Sequence, residues 1–330
     1  MQEYKMLQAE KRLVIPIMTH PGIEIIGKTV LDAVTDGKTH AEAICALNER
    51  YPADAVTAIM DLTVEAEAFG AEIAFSKTEI PNVIGRLVCD YESVEALEVP
   101  SLDKGRVREY LLANSIVASR IKDKPVFGGA IGPFSLAGRL YDLSEFMMAI
   151  YIEPETATLL LEKCTAFITE YIKAMKASGI DGVILAEPAA GLISNDDCYQ
   201  YSMVYVKQIV DAVQDDSFRV ILHNCGNTGH CTDAMIRSGA SALHFGNKAD
   251  MVEALQVCPP DLPVLGNIDP VGIMKMATPD QVKAAVADLL AKTDGYDNFI
   301  LSTGCDVPPA TPFANIEAFY QALKEYNEKQ

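Results

Sequence analysis

His223 and Cys225, in the segment Leu222-His223-Asn224-Cys225-Gly226, are the residues of this chain whose types and spacing best suit joint chemistry. A further thiol, Cys305, lies in Ser302-Thr303-Gly304-Cys305-Asp306. Each segment follows a largely apolar run, Phe218 to Leu222 and Asn298 to Leu301. Along a strand, side chains at i and i+2 share a face. His223 and Cys225 can therefore ligate one ion from a single strand end, and Cys305 can join them only if the fold brings a second strand end alongside. One nitrogen and two sulfurs, with a position to spare, form the ligand set of a zinc site that does chemistry.

Such a site needs a scaffold, and the hydrophobic pattern supplies one. Apolar strand candidates begin at Leu13, Asp54, Val126, Gly182, Phe218, Ala242, Pro263 and Asn298. Helical patterns alternate with them, at His40 to Tyr51, Leu62 to Phe69, Ser144 to Ile152, Glu155 to Ser178, Asp196 to Val213, Thr228 to Ser238, Asp250 to Val257, Thr278 to Lys292 and Phe313 to Asn327. Thr278, Pro279 and Gln281 predict a capping box at one helix start. Apolar strands without strict alternation suit a parallel sheet buried on both faces. Eight units predict one (β/α)8 TIM barrel over residues 1–330, a single α/β domain with a small hairpin excursion at Glu72 to Cys89, after strand two. No GxGxxG or P-loop signature follows any strand.

In such a barrel, active sites gather at the C-terminal strand ends. Polar residues fall there: His20, Asp61, Glu187, His223 with Cys225, Asn247, Asn267 with Asp269, and Cys305 with Asp306. Glu187 is the candidate fourth ligand, able to hold the open position at rest; an equal reading makes it a strand-end charge bonded to loop amides. His20 is a weaker candidate for the same place. Asp61, Asn267 and Asp269 are expected to position substrate. Cys45, Cys89, Cys164, Cys198, Cys231 and Cys258 read as structural thiols. His230 and His244 fit no ligand set, and His40 opens a helix.

Composition narrows the function classes. The chain has 330 residues, 49% hydrophobic and 22% charged, as expected of a globular protein with a large core. Its net charge of −19 argues against nucleic acid and against an anionic membrane surface. Eight cysteines are too few for a disulfide scaffold. Met1 to Lys11 is polar, without an apolar signal core, and no run approaches a membrane span. The expected compartment is the reducing cytoplasm.

Beyond these derivations, the chain resembles a known family. The residues concerned are Leu222 to Thr228, Gly266-Asn267-Ile268-Asp269-Pro270, and Gly304-Cys305 followed by Pro308 and Pro312. Met60 to Glu65, Phe69 to Glu72 and Gly132 to Ala137 extend the match to nearly the whole chain. They resemble the uroporphyrinogen decarboxylase superfamily, and within it the zinc-dependent methylcobamide:thiol methyltransferases of the coenzyme M type. The resemblance implies a TIM barrel, one Zn²⁺ on His223, Cys225 and Cys305, and a partner protein that carries the corrinoid. Glu187-Pro188 matches a position where some members supply a carboxylate.

Two departures shape the functional expectation. Pro16-Ile17-Met18-Thr19-His20-Pro21-Gly22 lacks the arginine with which the decarboxylases hold substrate carboxylates. No Asp-x-His-x-x-Gly stretch marks a corrinoid domain within the chain. The leading expectation is methyl transfer between a methylcobamide on another protein and a thiol activated as zinc thiolate, with Glu187 filling the fourth position or taking the thiol proton. One alternative keeps the zinc but uses methanol, a methylamine or a methoxy compound as donor to the corrinoid. Others are a metal-free decarboxylase and a non-catalytic subunit with a closed structural zinc.

Overall fold

Parallel neighbouring strands require long crossovers, and here helices supply them. The computed structural model describes residues 11–329. Its strands are β1 (Val56–Thr57), β2 (Glu72–Ala74), β3 (Asn82–Ile84), β4 (Val126–Ile131), β5 (Gly182–Ala186), β6 (Arg219–Asn224), β7 (Ala242–Phe245), β8 (Val264–Ile268) and β9 (Phe299–Thr303). Seven form one curled parallel sheet in the order β1-β4-β5-β6-β7-β8-β9. β2 and β3 pair antiparallel as the expected hairpin outside the repeat.

The strand expected at Leu13 is not a regular one. Residues around Val14 nonetheless join both edges of the sheet. Ile15 N–H donates to Leu301 O, Leu301 N–H to Leu13 O, and Asp54 N–H to Val14 O. Only Val14 and Leu301 form a bridge. Pro16 has no N–H to continue the ladder, and Thr57 side-chain contacts to Met18 N and Pro16 O take over. The sheet thus closes into a barrel through an irregular eighth element.

Two apolar layers follow from strand alternation. Phe127, Ile184, Ile221, Ala242, Leu265 and Ile300 fill the barrel interior. A larger cluster packs the outer strand faces against the helices, the longest of which is Pro154–Ala177. Two steps beyond the interior residues Ile221, Ala242, Leu265 and Ile300 come His223, His244, Asn267 and Ser302, which therefore face the mouth.

The capping box at Thr278 forms, with Thr278 accepting from Gln281 N–H and Gln281 from Thr278 N–H. Helices Val107–Arg120 and Pro133–Tyr141 were not among the expected elements. His40 lies inside helix Gly37–Arg50 rather than opening it, and accepts from Ile59 N–H at 3.1 Å. Among the described residues, no helix is long and apolar enough to cross a membrane.

Candidate metal centre

β6 and β9 bring the three sequence-derived ligands together. A ring nitrogen of His223 and the sulfurs of Cys225 and Cys305 all lie within 4.8 Å of one another. Among the described residues they are the only such group of three or more histidine, cysteine or acidic side chains. His223 is buried and both cysteines are half-buried. Close packing of the backbone permits this approach: a Cβ on Gly246 would lie 2.6 Å from Cys225 Cα.

The donor set fits zinc. His223 Nε2 is buried with no hydrogen-bond partner, although such atoms are normally satisfied. His223 Nδ1, in contrast, meets His244 Nδ1 at 2.8 Å. The two thiols already interact. A hydrogen bond from Cys305 holds the Cys225 thiol below its ordinary pKa, and the same contact, with burial, pushes Cys305 up. Two sulfurs beside a buried imidazole nitrogen suit a borderline-soft divalent cation.

Glu187 stands elsewhere. Ile184 and Ala186 face the barrel interior, so Glu187 turns to the layer between strands and helices. There it accepts from Phe134 N–H at 2.8 Å, Ser135 N–H at 3.0 Å and Ser135 Oγ at 2.8 Å. Those amides open helix Pro133–Tyr141 and would otherwise lack partners. Gly132 makes room, since a Cβ there would lie 2.2 Å from Glu187 Cγ. Burial pushes the carboxyl up to about 7 against the pull of these donors. Glu187 is outside the ligand cluster, and its geometry matches the amide-bonded reading rather than that of a fourth ligand. His20 is outside it too: Nε2 lies 3.3 Å from Asp306 Oδ2.

The three expected substrate-positioning residues divide. Asp61 is buried and fully engaged, accepting from Thr63 N–H and Oγ1, Tyr110 Oη and Arg106. Asp269 caps the helical turn Pro270–Lys275 through Val271 and Gly272 N–H. Asn267 faces the mouth, half-buried, with its amide nitrogen donating to Gly246 O and Ala249 O.

Three participants carried no clear signal in the sequence. His244 is a partner of His223 rather than an unrelated core histidine. Arg106 neutralises Asp61 and Glu67. Glu65 is buried with Oε1 accepting from Ile131 N–H at 2.9 Å and Oε2 unpartnered. Burial pushes the Glu65 carboxyl from 4.5 up to about 8, so it is protonated in the folded chain at neutral pH. A raised folded-state value means that its stabilising contribution is complete below 4.5 and lost as pH rises through 8. At about 1.4 kcal/mol per pH unit, the loss is on the order of 5 kcal/mol. Glu65→Gln, which mimics the protonated acid, should melt with the parent near pH 5 and above it at pH 9. Parallel melting curves across that range would remove this assignment.

Similarity to known proteins agrees with this architecture. The sequence profile described as uroporphyrinogen decarboxylase (URO-D) matches residues 10–326. The methylcobamide:CoM methyltransferases MtbA of Methanosarcina mazei and Methanosarcina acetivorans are each 33% identical over 277 residues, covering 83% of this chain and 80% of theirs. A uroporphyrinogen decarboxylase from Legionella pneumophila is 25% identical over 284 residues, 84% of this chain and 80% of its own. A solved methyltransferase structure from Methanosarcina mazei superposes with a TM-score of 0.88 at 25% identity, covering 97% of this chain and 96% of that one. With nearly its full length matched and its seven parallel strands curled into a barrel, the chain belongs to the uroporphyrinogen decarboxylase family.

Proposed function

We propose that this protein is a zinc-dependent methyltransferase that moves a methyl group from a methylcobamide, carried by a separate corrinoid protein, to a small thiol. The observation that carries this reading is the convergence of His223, Cys225 and Cys305, with His223 Nε2 bare and buried. The 33% identity to proteins named methylcobamide:CoM methyltransferase supports the reaction class.

His223 Nε2 and the two sulfurs would hold the ion from one side, leaving a position toward the mouth. Bound zinc supplies a site at which a thiol, with an ordinary pKa near ~8.5, is present as thiolate at neutral pH. In the transfer itself, a sulfur–carbon bond forms as the cobalt–carbon bond breaks, and the electron pair stays on cobalt. The thiol proton is released to solvent. Two cysteine ligands would keep the net charge of the site low and so preserve the nucleophilicity of the acceptor sulfur.

Asn267, half-buried at the mouth, is proposed to contact the substrate. Asp61 and Asp269 are proposed to shape the mouth indirectly, Asp61 by fixing Arg106 and the segment after β1, and Asp269 by capping the turn after β8. Glu187 is proposed to anchor helix Pro133–Tyr141 and would not be among the residues that hold the ion. The donor-side alternatives (methanol, a methylamine or a methoxy compound) would use the same ligands. The metal-free decarboxylase reading is disfavoured by the opening segment Pro16 to Gly22, which has no arginine.

The test is demethylation of free methylcobalamin with a panel of thiols, coenzyme M among them. Activity is expected to disappear with EDTA and to return with one equivalent of zinc. Full activity in a chelated, zinc-free enzyme would refute the reading.

A further inference from the structure

We infer that His244 and Ser302 form a relay that fixes the tautomer of His223 and so points a lone pair of Nε2 at the metal position. The inference builds on the zinc reading above and assigns residues that it does not use.

Ser302 Oγ lies 2.6 Å from Ile15 O, and a carbonyl oxygen only accepts. The hydroxyl proton of Ser302 is therefore committed to Ile15. Ser302 Oγ can then only accept from His244 Nε2, 2.8 Å away. His244 is wholly buried, and its hydrogen-bond partners, Ser302 Oγ and His223 Nδ1, include no carboxylate to balance a second proton. It is thus neutral, with its one proton on Nε2. Its Nδ1 is a bare acceptor, 2.8 Å from His223 Nδ1. That contact is a hydrogen bond only if His223 carries its proton on Nδ1. A neutral His223 then has a free lone pair on Nε2, the buried nitrogen without a partner, on the imidazole that clusters with both sulfurs.

The relay is built into the barrel. His223 and His244 are register partners across β6 and β7, Ser302 lies on β9, and Ile15 belongs to the irregular segment that closes the sheet. Each step joins a different strand, so imidazole orientation is tied to barrel closure. The ring planes of the two histidines stand 76° apart, with centroids 4.6 Å apart. Metal-ligating histidines usually donate their second nitrogen to a carboxylate or carbonyl. A neutral imidazole in that place orients the ligand without adding negative charge to the site. His244 and Ser302 are therefore positioning residues rather than ligands.

The first test uses the unaltered, metal-free protein. The chain has five histidines, so a long-range nitrogen–proton spectrum of ¹⁵N-histidine-labelled protein at pH 8 is sparse. His223 is expected to carry its proton on Nδ1 and His244 on Nε2; a proton on His223 Nε2 would overturn the relay. The second test measures zinc affinity by competition with a chromophoric chelator. His244→Phe should bind zinc about 10–100-fold more weakly, whereas His244→Gln, whose amide oxygen can accept, should recover most of the loss. Melting of the metal-free variants monitors folding, and the first test requires no variant. Tight zinc binding by the parent, unchanged in His244→Phe, would overturn the relay alone. A parent chain that binds no zinc would instead overturn the functional reading on which the relay depends.

Discussion

Replacing Cys305 with alanine is expected to abolish methyl transfer and zinc retention together, while the metal-free protein melts close to the parent. The reason is the split origin of the ligand set. His223 and Cys225 come from the end of β6, and Cys305 follows β9 on another side of the mouth. Removing Cys305 leaves two ligands from one strand end, too few for the tetrahedral shell that zinc adopts. The activity loss should exceed the roughly 10–100-fold that follows removal of a group which only orients a ligand. Cys45→Ala is the control. Its thiol lies half-buried on helix Gly37–Arg50 and should leave activity intact. The comparison reads out methylcobalamin demethylation and zinc per chain. Activity in the Cys305→Ala variant comparable to that of the control would refute the assignment, and collapse of its fold would indicate a structural rather than a catalytic ion.

The second large effect concerns stability. Arg106→Met is expected to destabilise the protein by about 3–5 kcal/mol, because it leaves the buried Asp61 carboxylate without its cation. Arg106 donates to Asp61, to Glu67 Oε2 at 2.7 Å, to Thr63 Oγ1 at 2.8 Å and to Val34 O at 3.1 Å. It thus ties the segment after β1 to the start of helix Val107–Arg120. Combining Arg106→Met with Asp61→Asn should recover much of the loss, since the orphaned charge is then gone. Urea denaturation of the single and double variants measures both. A single variant within about 1 kcal/mol of the parent, the range of exposed ion pairs, would contradict this account of Asp61.

The cluster of His223, Cys225 and Cys305 was legible in the sequence because part of its signal is local. His-x-Cys at the end of an apolar run fixes two side chains on one face, whatever the fold. Cys305 was legible only through the count of eight strand candidates, since a barrel alone brings the ends of β6 and β9 to one mouth. The first of those candidates, Leu13 to Met18, was found by its apolar residues but becomes irregular. Pro16 interrupts its ladder, and Thr57 Oγ1, accepting from Met18 N–H and donating to Pro16 O, takes over.

Other features were less legible, for identifiable reasons. Glu187 ends a strand, which left a fourth ligand and a charge bonded to loop amides as equal readings. Parity favours the second: Ala186 faces the interior, so the next residue faces the helices. His244 was invisible because its partner lies on the neighbouring strand, and a pair in register leaves no spacing rule in the chain. The matching segments Leu222-His223 and Leu243-His244, each within a run that enters the barrel, were the available hint. Arg106 belongs to no motif, and only the need of a buried Asp61 for a cation could have pointed to it. Helix Pro133–Tyr141 was hidden by its Gly-Pro start, read as a family motif rather than as the first turn of a helix, where proline is well suited.

The account depends on one ion held by three protein ligands with one position free for sulfur. X-ray absorption at the zinc edge, with and without an excess of acceptor thiol, tests this most directly. The expected resting shell has two sulfurs at about 2.3 Å, one imidazole nitrogen at about 2.0–2.1 Å and one further light atom, which a third sulfur replaces when thiol is added. A protein without zinc, or a four-ligand shell that added thiol leaves unchanged, would contradict it.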